Sequence, residues 1–192
     1  MTHVSMASAV PAILTLIVAI WSNSMIVAAD ELFPEGLVRF EAHPANPLFE
    51  GAGDGHWDVK IRERGWILFD AKPAVGQPAW RMWYTGYDGT REGVKQLGLA
   101  TSSDGIKWER HPGNPIYSEH WIEDMMIVPH GDTLFMFAEG LDDQPFLLTS
   151  KDGIKWQSQG RLDVRMKDGT PIEPGPYGTP VGHFENGQWY LF

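Results

Sequence analysis

The chain has 192 residues, of which 43% are hydrophobic and 12% aromatic, so it can bury a substantial core and does not have the composition of a disordered chain. Its 25 acidic residues outnumber its 15 basic ones, and the resulting net charge of −10 disfavours binding to the phosphate backbone of nucleic acids. The absence of cysteine excludes disulfides, thiolate nucleophiles and cysteine-ligated zinc.

The first 29 residues have the composition of an export signal. They contain no Asp, Glu, Lys or Arg, and an apolar block runs from Ala9 to Trp21. Val27 and Ala29 suit the −3 and −1 positions of a signal-peptidase site. We therefore expect a signal peptide over residues 1–29 and a secreted or periplasmic protein. An uncleaved N-terminal membrane anchor is the alternative, although the block is shorter than the roughly 20 residues that a membrane span needs.

Residues 30–192 predict an all-β domain. Their apolar residues fall in short runs that are rich in aromatic and branched side chains and are bounded by Gly, Pro, Asn and Asp, which is the pattern of β-strands and turns. The runs are GWILFD (65–70), WRMWYTGYDG (80–89), QLGLATSSDG (96–105), DTLFMFAEG (132–140), PFLLTSKDG (145–153) and GQWYLF (187–192).

A repeat organises these strands. The heptad SSDGIKW (102–108) recurs as SKDGIKW (150–156), 48 positions later, and the similarity extends on both sides. Four short antiparallel strands in a repeat of roughly 50 residues are typical of one blade of a β-propeller. We predict blades over 56–111 and 121–160 and a third that begins near Tyr177. Because a propeller closes as a ring, we expect the sequence, with about two and a half blades, to be a fragment of a longer protein.

The heptads themselves are interpreted as structural turns. In each copy the Asp is expected to accept backbone N–H bonds, the Gly to supply a left-handed conformation, and the Trp to pack between blades. These residues are Asp104, Gly105 and Trp108 in the first copy and Asp152, Gly153 and Trp156 in the second.

Three segments and the blade-end heptads carry a resemblance to a known superfamily. WDVKI (57–61), IEDMMIV (122–128) and YGTPVGHFENGQWYLF (177–192) resemble the five-bladed β-propeller glycoside hydrolases, which include arabinanases and xylosidases (family 43) and invertases and fructanases (family 32). The resemblance covers about residues 44–192. It implies a glycosidase that acts on a polysaccharide or oligosaccharide, using carboxylates that inner strands deliver to a central funnel. We expect no cofactor, and no metal because no HExxH or comparable ligand spacing appears, with a site among His56, His120 and His130 as the alternative.

The resemblance also implies roles for two aspartates. Asp58 matches the first-blade carboxylate, which serves as general base in inverting members and as nucleophile in retaining ones. Asp124 matches the second-blade aspartate that orients the substrate or tunes the pKa of the acid, although Met125 replaces the usual proline. The chemistry needs such convergence because one carboxyl must be protonated while another is ionised, and crowding pushes their pKa values apart.

The general acid is not assigned to one residue. Thr179 aligns with the third-blade position where the resembling enzymes usually have Glu, and threonine cannot donate a proton usefully near neutral pH. His183 is a substitute, since some propeller glycosidases use histidine as the acid. Glu173, Glu123 and Glu139 are further candidates, and the acid can also lie beyond the end of this sequence.

Each candidate also has a structural interpretation. Asp58 and Asp124 are either functional carboxylates or buried hydrogen-bonded residues. Glu123, which with Thr179 we include among the substrate-binding candidates, can instead form a salt bridge or lie on a rim. Trp57 and Trp121 can stack on sugar rings or pack between blades. The leading function is therefore glycoside hydrolysis, and a non-catalytic carbohydrate-binding propeller or an inactive truncated fragment is the alternative.

Overall fold

The computed structural model describes residues 36, 38–62, 64–75, 77–166, 168–171 and 179–192. Three predictions fall outside the described residues: the signal peptide over residues 1–29, the candidate acid Glu173, and Tyr177 as the beginning of the third blade. The chain divides into two compact units, residues 1–46 and 47–192. The described part of the first unit is exposed and contains no strand. Within the described residues, we find no helix with the length and apolar character needed to cross a membrane.

The first sheet of the second unit contains five antiparallel strands. They are β1 (Lys60–Ile61), β2 (Trp66–Phe69), β3 (Trp80–Tyr87), β4 (Gln96–Ser102) and β5 (Glu109–Arg110). The order is β1-β3-β4-β5, and β2 also pairs with β3. Because β1 and β2 pair with opposite ends of β3, they are two halves of one interrupted inner strand.

The second sheet has four antiparallel strands in sequence order. They are β6 (Glu123–His130), β7 (Thr133–Gly140), β8 (Gln144–Ser150) and β9 (Gln157–Arg161). A short 3₁₀ turn, Leu141–Asp143, joins β7 to β8. This meander is the four-stranded blade that the repeat predicts.

A hairpin of β10 (Gly182–Glu185) and β11 (Gln188–Leu191) follows. It contacts the second sheet through β6, and the ring centroids of Phe184 and His130 lie 3.9 Å apart. Two four-stranded blades and the beginning of a third confirm the predicted all-β propeller architecture.

The core lies where the two complete blades face each other. It is formed by buried apolar side chains from β3 and β4 on one side and from β6, β7 and β8 on the other. The rings of Trp83 and Trp156 meet edge to face at 6.3 Å, and Trp83 Nε1 donates a hydrogen bond of 2.8 Å to the carbonyl oxygen of Gly153. The predicted inter-blade role of Trp156 is therefore confirmed, whereas Trp108 is half-buried. The cluster comprises Trp83, Leu97, Leu99, Tyr117, Ile122, Met125, Ile127, Leu134, Met136, Ala138, Leu148 and Trp156.

The two heptads form matching turns. Asp104 Oδ1 accepts backbone N–H bonds of 2.8 Å from Ile106 and Lys107, and Ser102 Oγ accepts one of 2.8 Å from Gly105. The backbone donors lower the pKa of Asp104 because they stabilise its charged form. The second copy repeats this set of bonds through Ser150, Asp152, Gly153, Ile154 and Lys155. The predicted turn mechanism is confirmed.

Gly153 combines a left-handed backbone with close packing, which makes it a sensitive test of the blade contact. Its φ is 78°, and an added Cβ would lie 2.7 Å from Cζ2 of Trp83. Gly131, with φ of 60°, has open space around the same position. We expect Gly131→Ala to cost about 1 kcal/mol of unfolding free energy and Gly153→Ala clearly more, because only the latter also displaces Trp83. Urea unfolding checks this, and equal losses would show that the clash is relieved without cost.

Candidate active site at the start of the second blade

An irregularity in the first inner strand exposes two arginines. Ile61 pairs with Gly86 and Trp66 pairs with Trp83, so the regular pairing with β3 is interrupted between Ile61 and Trp66, while only two residues of β3 separate the two partners. Such a bulge releases side chains from the regular alternation of a strand and re-aims them. Here it directs Arg62 and Arg64 towards the second blade.

A second bulge lies at the facing position of the second inner strand. Glu123 pairs with Glu139 and Met126 with Phe137, so two residues of β6 face one residue of β7. Asp124 lies in this bulge with φ of 41°, a left-handed conformation that non-glycine residues rarely adopt. Backbone strain of this kind is found at functional sites, where surrounding contacts maintain it.

The two bulges meet through ion pairs. Arg62 Nε lies 2.7 Å from Oε1 of Glu123, whose side chain is only 9% exposed. Arg64 Nε donates a hydrogen bond of 3.1 Å to Oδ1 of Asp124. Glu123 therefore forms the salt bridge that the sequence offered as its structural alternative to substrate binding. Asp124 is restrained by Arg64 but remains partly open to solvent.

Glu139 extends this site into an acidic cluster. It is the cross-strand partner of Glu123, and Asp143 of the following turn forms a hydrogen bond with its carboxyl group. Partial burial raises the pKa of Glu139 to about 7, and the hydrogen bond and negative charge of Asp143 act in the same direction. The charges of Asp124 and Glu123 add to the effect. Glu139 can therefore hold a proton up to near neutral pH, beside the carboxyl groups of Glu123, Asp124 and Asp143.

The turn between β7 and β8 presents the fourth carboxyl. Asp142 and Asp143 have φ of 60° and 55°, so both lie in the left-handed region. The side-chain amide of Gln144 donates a hydrogen bond of 3.0 Å to the carbonyl oxygen of Asp142, which closes the turn. We define the acidic cluster as Glu123, Asp124, Glu139 and Asp143 and use this name below.

Asp58 has different neighbours. It is 1% exposed, and its Oδ2 accepts hydrogen bonds from Arg110 Nε at 2.8 Å and from the Tyr84 hydroxyl at 3.0 Å. Burial, with the adjacent charge of Asp58, raises the pKa of Tyr84. Asn114 donates to the Tyr84 hydroxyl at 3.1 Å, and Arg110 also contacts the carbonyl oxygen of Glu50. These contacts correspond to the buried hydrogen-bonded alternative, and the catalytic role of Asp58 stays a prediction.

The remaining predicted residues lie in three places. Trp57 is half-buried, and its ring lies 5.8 Å from that of Tyr84. Trp121 lines a cavity next to the turn 141–143. Thr179 and His183 are exposed, and the His183 ring faces Tyr190 across the hairpin at 6.3 Å.

Among the predicted site residues, the described contacts bring together Asp124 and Glu123, with Glu139 beside them. Arg62, Arg64 and Asp143 were not predicted. A signal for the two arginines was present, since the polar run IRERG interrupts an otherwise apolar strand. Within the residues that the structure describes, no group of three or more His, Asp or Glu side chains has a geometry that could hold a metal ion.

Comparison with solved structures places the fold. A complex of BT0996 with RGII matches with a TM-score of 0.57 and 19% identity over 76% of this protein and 45% of the solved one. A protein described as a glycoside hydrolase matches with a TM-score of 0.54 and 19% identity over 70% of this chain and 42% of the solved one. The Bombyx mori GH32 β-fructofuranosidase BmSUC1 gives a TM-score of 0.45 and 20% identity over 58% of this chain and 26% of the solved one.

The first two matches establish that this chain has the fold of β-propeller glycoside hydrolases, which confirms the resemblance at the level of fold. The chain spans less than half of the length of these solved structures. No protein-family model matches the sequence, and no curated protein sequence matches it.

The buried position of Asp58 predicts a large effect on stability. Asp58→Asn removes the charge that Arg110 pairs with, so we expect a loss of about 2–3 kcal/mol of unfolding free energy. Asp132→Asn is the matched control, because Asp132 pairs at 2.6 Å with Lys151 but both side chains are exposed. It should change stability little. Chemical denaturation of both variants checks the difference, and similar small losses would contradict the assigned network.

The pKa of Glu139 predicts how stability varies with pH. A carboxyl whose pKa rises from about 4.5 in the unfolded chain to about 7 in the folded one binds more protons when folded. The free energy of unfolding should therefore fall as pH rises through this window. Glu139→Gln, which cannot ionise, should show a smaller fall. Denaturation curves at several pH values measure both slopes, and identical slopes would contradict the raised pKa.

Proposed function

We propose that this protein is a carbohydrate-active enzyme that hydrolyses glycosidic bonds at the acidic cluster, and that it acts outside the cytoplasm. One observation carries the proposal: a carboxyl that holds a proton near neutral pH lies beside an arginine-bound carboxylate, in a fold shared with glycoside hydrolases. This is the pair of protonation states that hydrolysis of a glycosidic bond requires.

The roles in the proposed reaction follow from these states. Glu139 donates its proton to the glycosidic oxygen as the bond from that oxygen to the anomeric carbon breaks. Asp124, as a carboxylate, accepts a proton from the water molecule that attacks the anomeric carbon. The proton lost by Glu139 leaves on the alcohol product, and the proton gained by Asp124 comes from water, so the overall reaction adds one water across the bond.

The arginines support this division of roles. Arg64 restrains the carboxyl group of Asp124 through its hydrogen bond, which a general base requires for correct placement. Arg62 neutralises the nearly buried Glu123, so that Glu123 maintains the inter-blade contact and does not itself carry the reaction. In the proposal Asp58 positions the first inner strand through Arg110 and Tyr84. His183 is less suitable as the acid because it is exposed on the hairpin.

The alternative is a propeller that binds carbohydrate without cleaving it. It is favoured by the ion pairs themselves, because Glu123 and Asp124 are both neutralised by arginines. Exposed Thr179 at the expected acid position favours it as well. The two functions differ in whether Glu139 is needed for turnover or is dispensable.

The proposal predicts that Glu139→Gln lowers hydrolysis of oligosaccharides by roughly 10²–10⁴-fold. Hydrolysis of a 2,4-dinitrophenyl glycoside, whose leaving group needs no protonation, should be affected far less. The wild-type kcat/KM should fall as pH rises above about 7, because Glu139 must be protonated to act as the acid. Rates for a panel of aryl glycosides and oligosaccharides across pH measure these effects.

Glu185→Gln is the matched control, since Glu185 is an exposed carboxylate at the end of β10. It should leave the rates unchanged. Equal losses on both kinds of substrate would contradict an acid role for Glu139. Binding of glycans without turnover of any substrate in the panel would support the alternative function.

A further inference from the structure

A cavity adjoins the acidic cluster on the side of the β7–β8 turn. Its volume is about 490 Å³, within the range of sites for small molecules. The turn 141–143 lines it through Leu141 and Asp142, and the next residue of that turn is Asp143 of the acidic cluster. The lining residues are Val94, Ser118, Glu119, His120, Trp121, Leu141, Asp142, Gln144 and Phe146.

Trp121 is held in this cavity by a buried cation. Lys95 is 2% exposed, and its Nζ lies 4.2 Å from the centroid of the Trp121 ring and 4.7 Å from that of Tyr87. The same ammonium donates hydrogen bonds to the carbonyl oxygens of Gly93 at 2.7 Å and Arg91 at 2.9 Å. Its donors are thus committed to the β3–β4 loop. Lys95 therefore fixes the position of Trp121 and does not reach a ligand itself.

The rest of the wall combines apolar surface with hydrogen-bonding groups. The rings of His120 and Phe146 stack at 5.8 Å with an angle of 29°. Val94 and Leu141 are more than half exposed, which places apolar surface in contact with solvent. The hydroxyl of Ser118 and the carboxylates of Glu119 and Asp142 supply polar groups at the same wall. A sugar ring presents C–H faces and hydroxyl edges, and this combination of an aromatic face with polar groups fits it.

The charges of the cavity select among sugars. Glu119 and Asp142 line it, whereas no Lys or Arg is among its described lining residues. The nearby ammonium of Lys95 is already bonded to backbone carbonyls, and the guanidinium of Arg161, which is not a lining residue, is engaged with Oε1 of Gln144. An anionic sugar would face two carboxylates with no cation among the lining side chains to compensate them, which disfavours binding. A neutral sugar meets no such repulsion.

We propose that this cavity is a binding subsite for a neutral sugar residue, with Trp121 as its stacking platform and Lys95 as the residue that positions the platform. The inference rests on the proposed function in that this sugar belongs to the same glycan that the acidic cluster cleaves. The subsite itself requires only binding, so it can be tested apart from hydrolysis.

The test measures glycan binding by calorimetry in the Glu139→Gln background, where turnover does not consume the probe. The probes are the neutral xylotriose, arabinotriose and mannotriose, with trigalacturonic acid as the anionic counterpart. We expect at least one neutral trisaccharide to bind more tightly than trigalacturonic acid. Trp121→Ala and Lys95→Met should each weaken that binding by about tenfold or more, because stacking on an aromatic ring is lost or misplaced.

Two controls separate the subsite from general damage. Lys72→Met changes an exposed lysine outside the cavity and should leave binding unchanged. Trp121→Phe retains an aromatic ring, so it should keep more affinity than Trp121→Ala. Circular dichroism shows whether Trp121→Ala is folded, and Trp121→Phe is measured in its place if it is not.

The outcomes separate the two proposals. Unchanged affinity in folded Trp121→Ala and in Lys95→Met, binding of trigalacturonic acid as tight as that of the neutral probes, or no binding of any neutral probe would overturn the subsite. Binding that depends on Trp121, combined with no hydrolysis by the wild-type protein, would sustain the subsite and refute the proposed hydrolysis.

Discussion

The packing of the first two blades against each other is the constraint on which the candidate site depends. Trp83 and Trp156 pack edge to face in the shared core, and Trp83 also bonds to the turn of the second heptad. With the blades held at this separation, a bulge in each inner strand brings Arg62 and Arg64 within ion-pair distance of Glu123 and Asp124. The site is therefore a property of the interface between two repeats, and neither repeat contains it alone.

The electrostatics of the site depend on an imbalance in the number of charges. Two arginines neutralise Glu123 and Asp124, whereas Glu139 and Asp143 share a proton-dependent hydrogen bond without a described arginine of their own. Partial burial and this surplus of carboxyls raise the pKa of Glu139 to about 7. A balanced cluster would form only ion pairs. The unbalanced one can hold and release a proton in the physiological range, which is the property that an acid catalyst needs.

The buried Lys95 and the half-buried Arg110 show how cations organise this propeller around the site. Lys95 joins the β3–β4 loop to the rings of Tyr87 and Trp121. Arg110 joins β5 to Asp58 ahead of the first inner strand, and its guanidinium lies 4.5 Å from the centroid of Phe49. Arg110 bonds to groups distant in sequence, whereas Lys95 bonds to carbonyls of its own loop and contacts the distant ring of Trp121. Each cation therefore restrains a loop or strand end that the sheets alone would leave free. Lys95 and Arg110 are thus structural charges, whereas Glu139 and Asp143 of the acidic cluster have no described arginine partner.

The sequence by itself determined the repeat, the strands and the turns. These follow from local rules: alternation and aromatic content predict strands, and the Ser-x-Asp-Gly turn closes through bonds within five residues. Asp124 was identified through the resemblance of IEDMMIV (122–128) to the second-blade segment of the glycoside hydrolases. The tertiary structure alone decided that Asp58 pairs with Arg110, 52 positions away, and that Arg64 reaches Asp124, 60 positions away. Pairing partners and the protonation of Glu139 depend on bulges, burial and blade packing, and these distances in space are not encoded in any local pattern of residues.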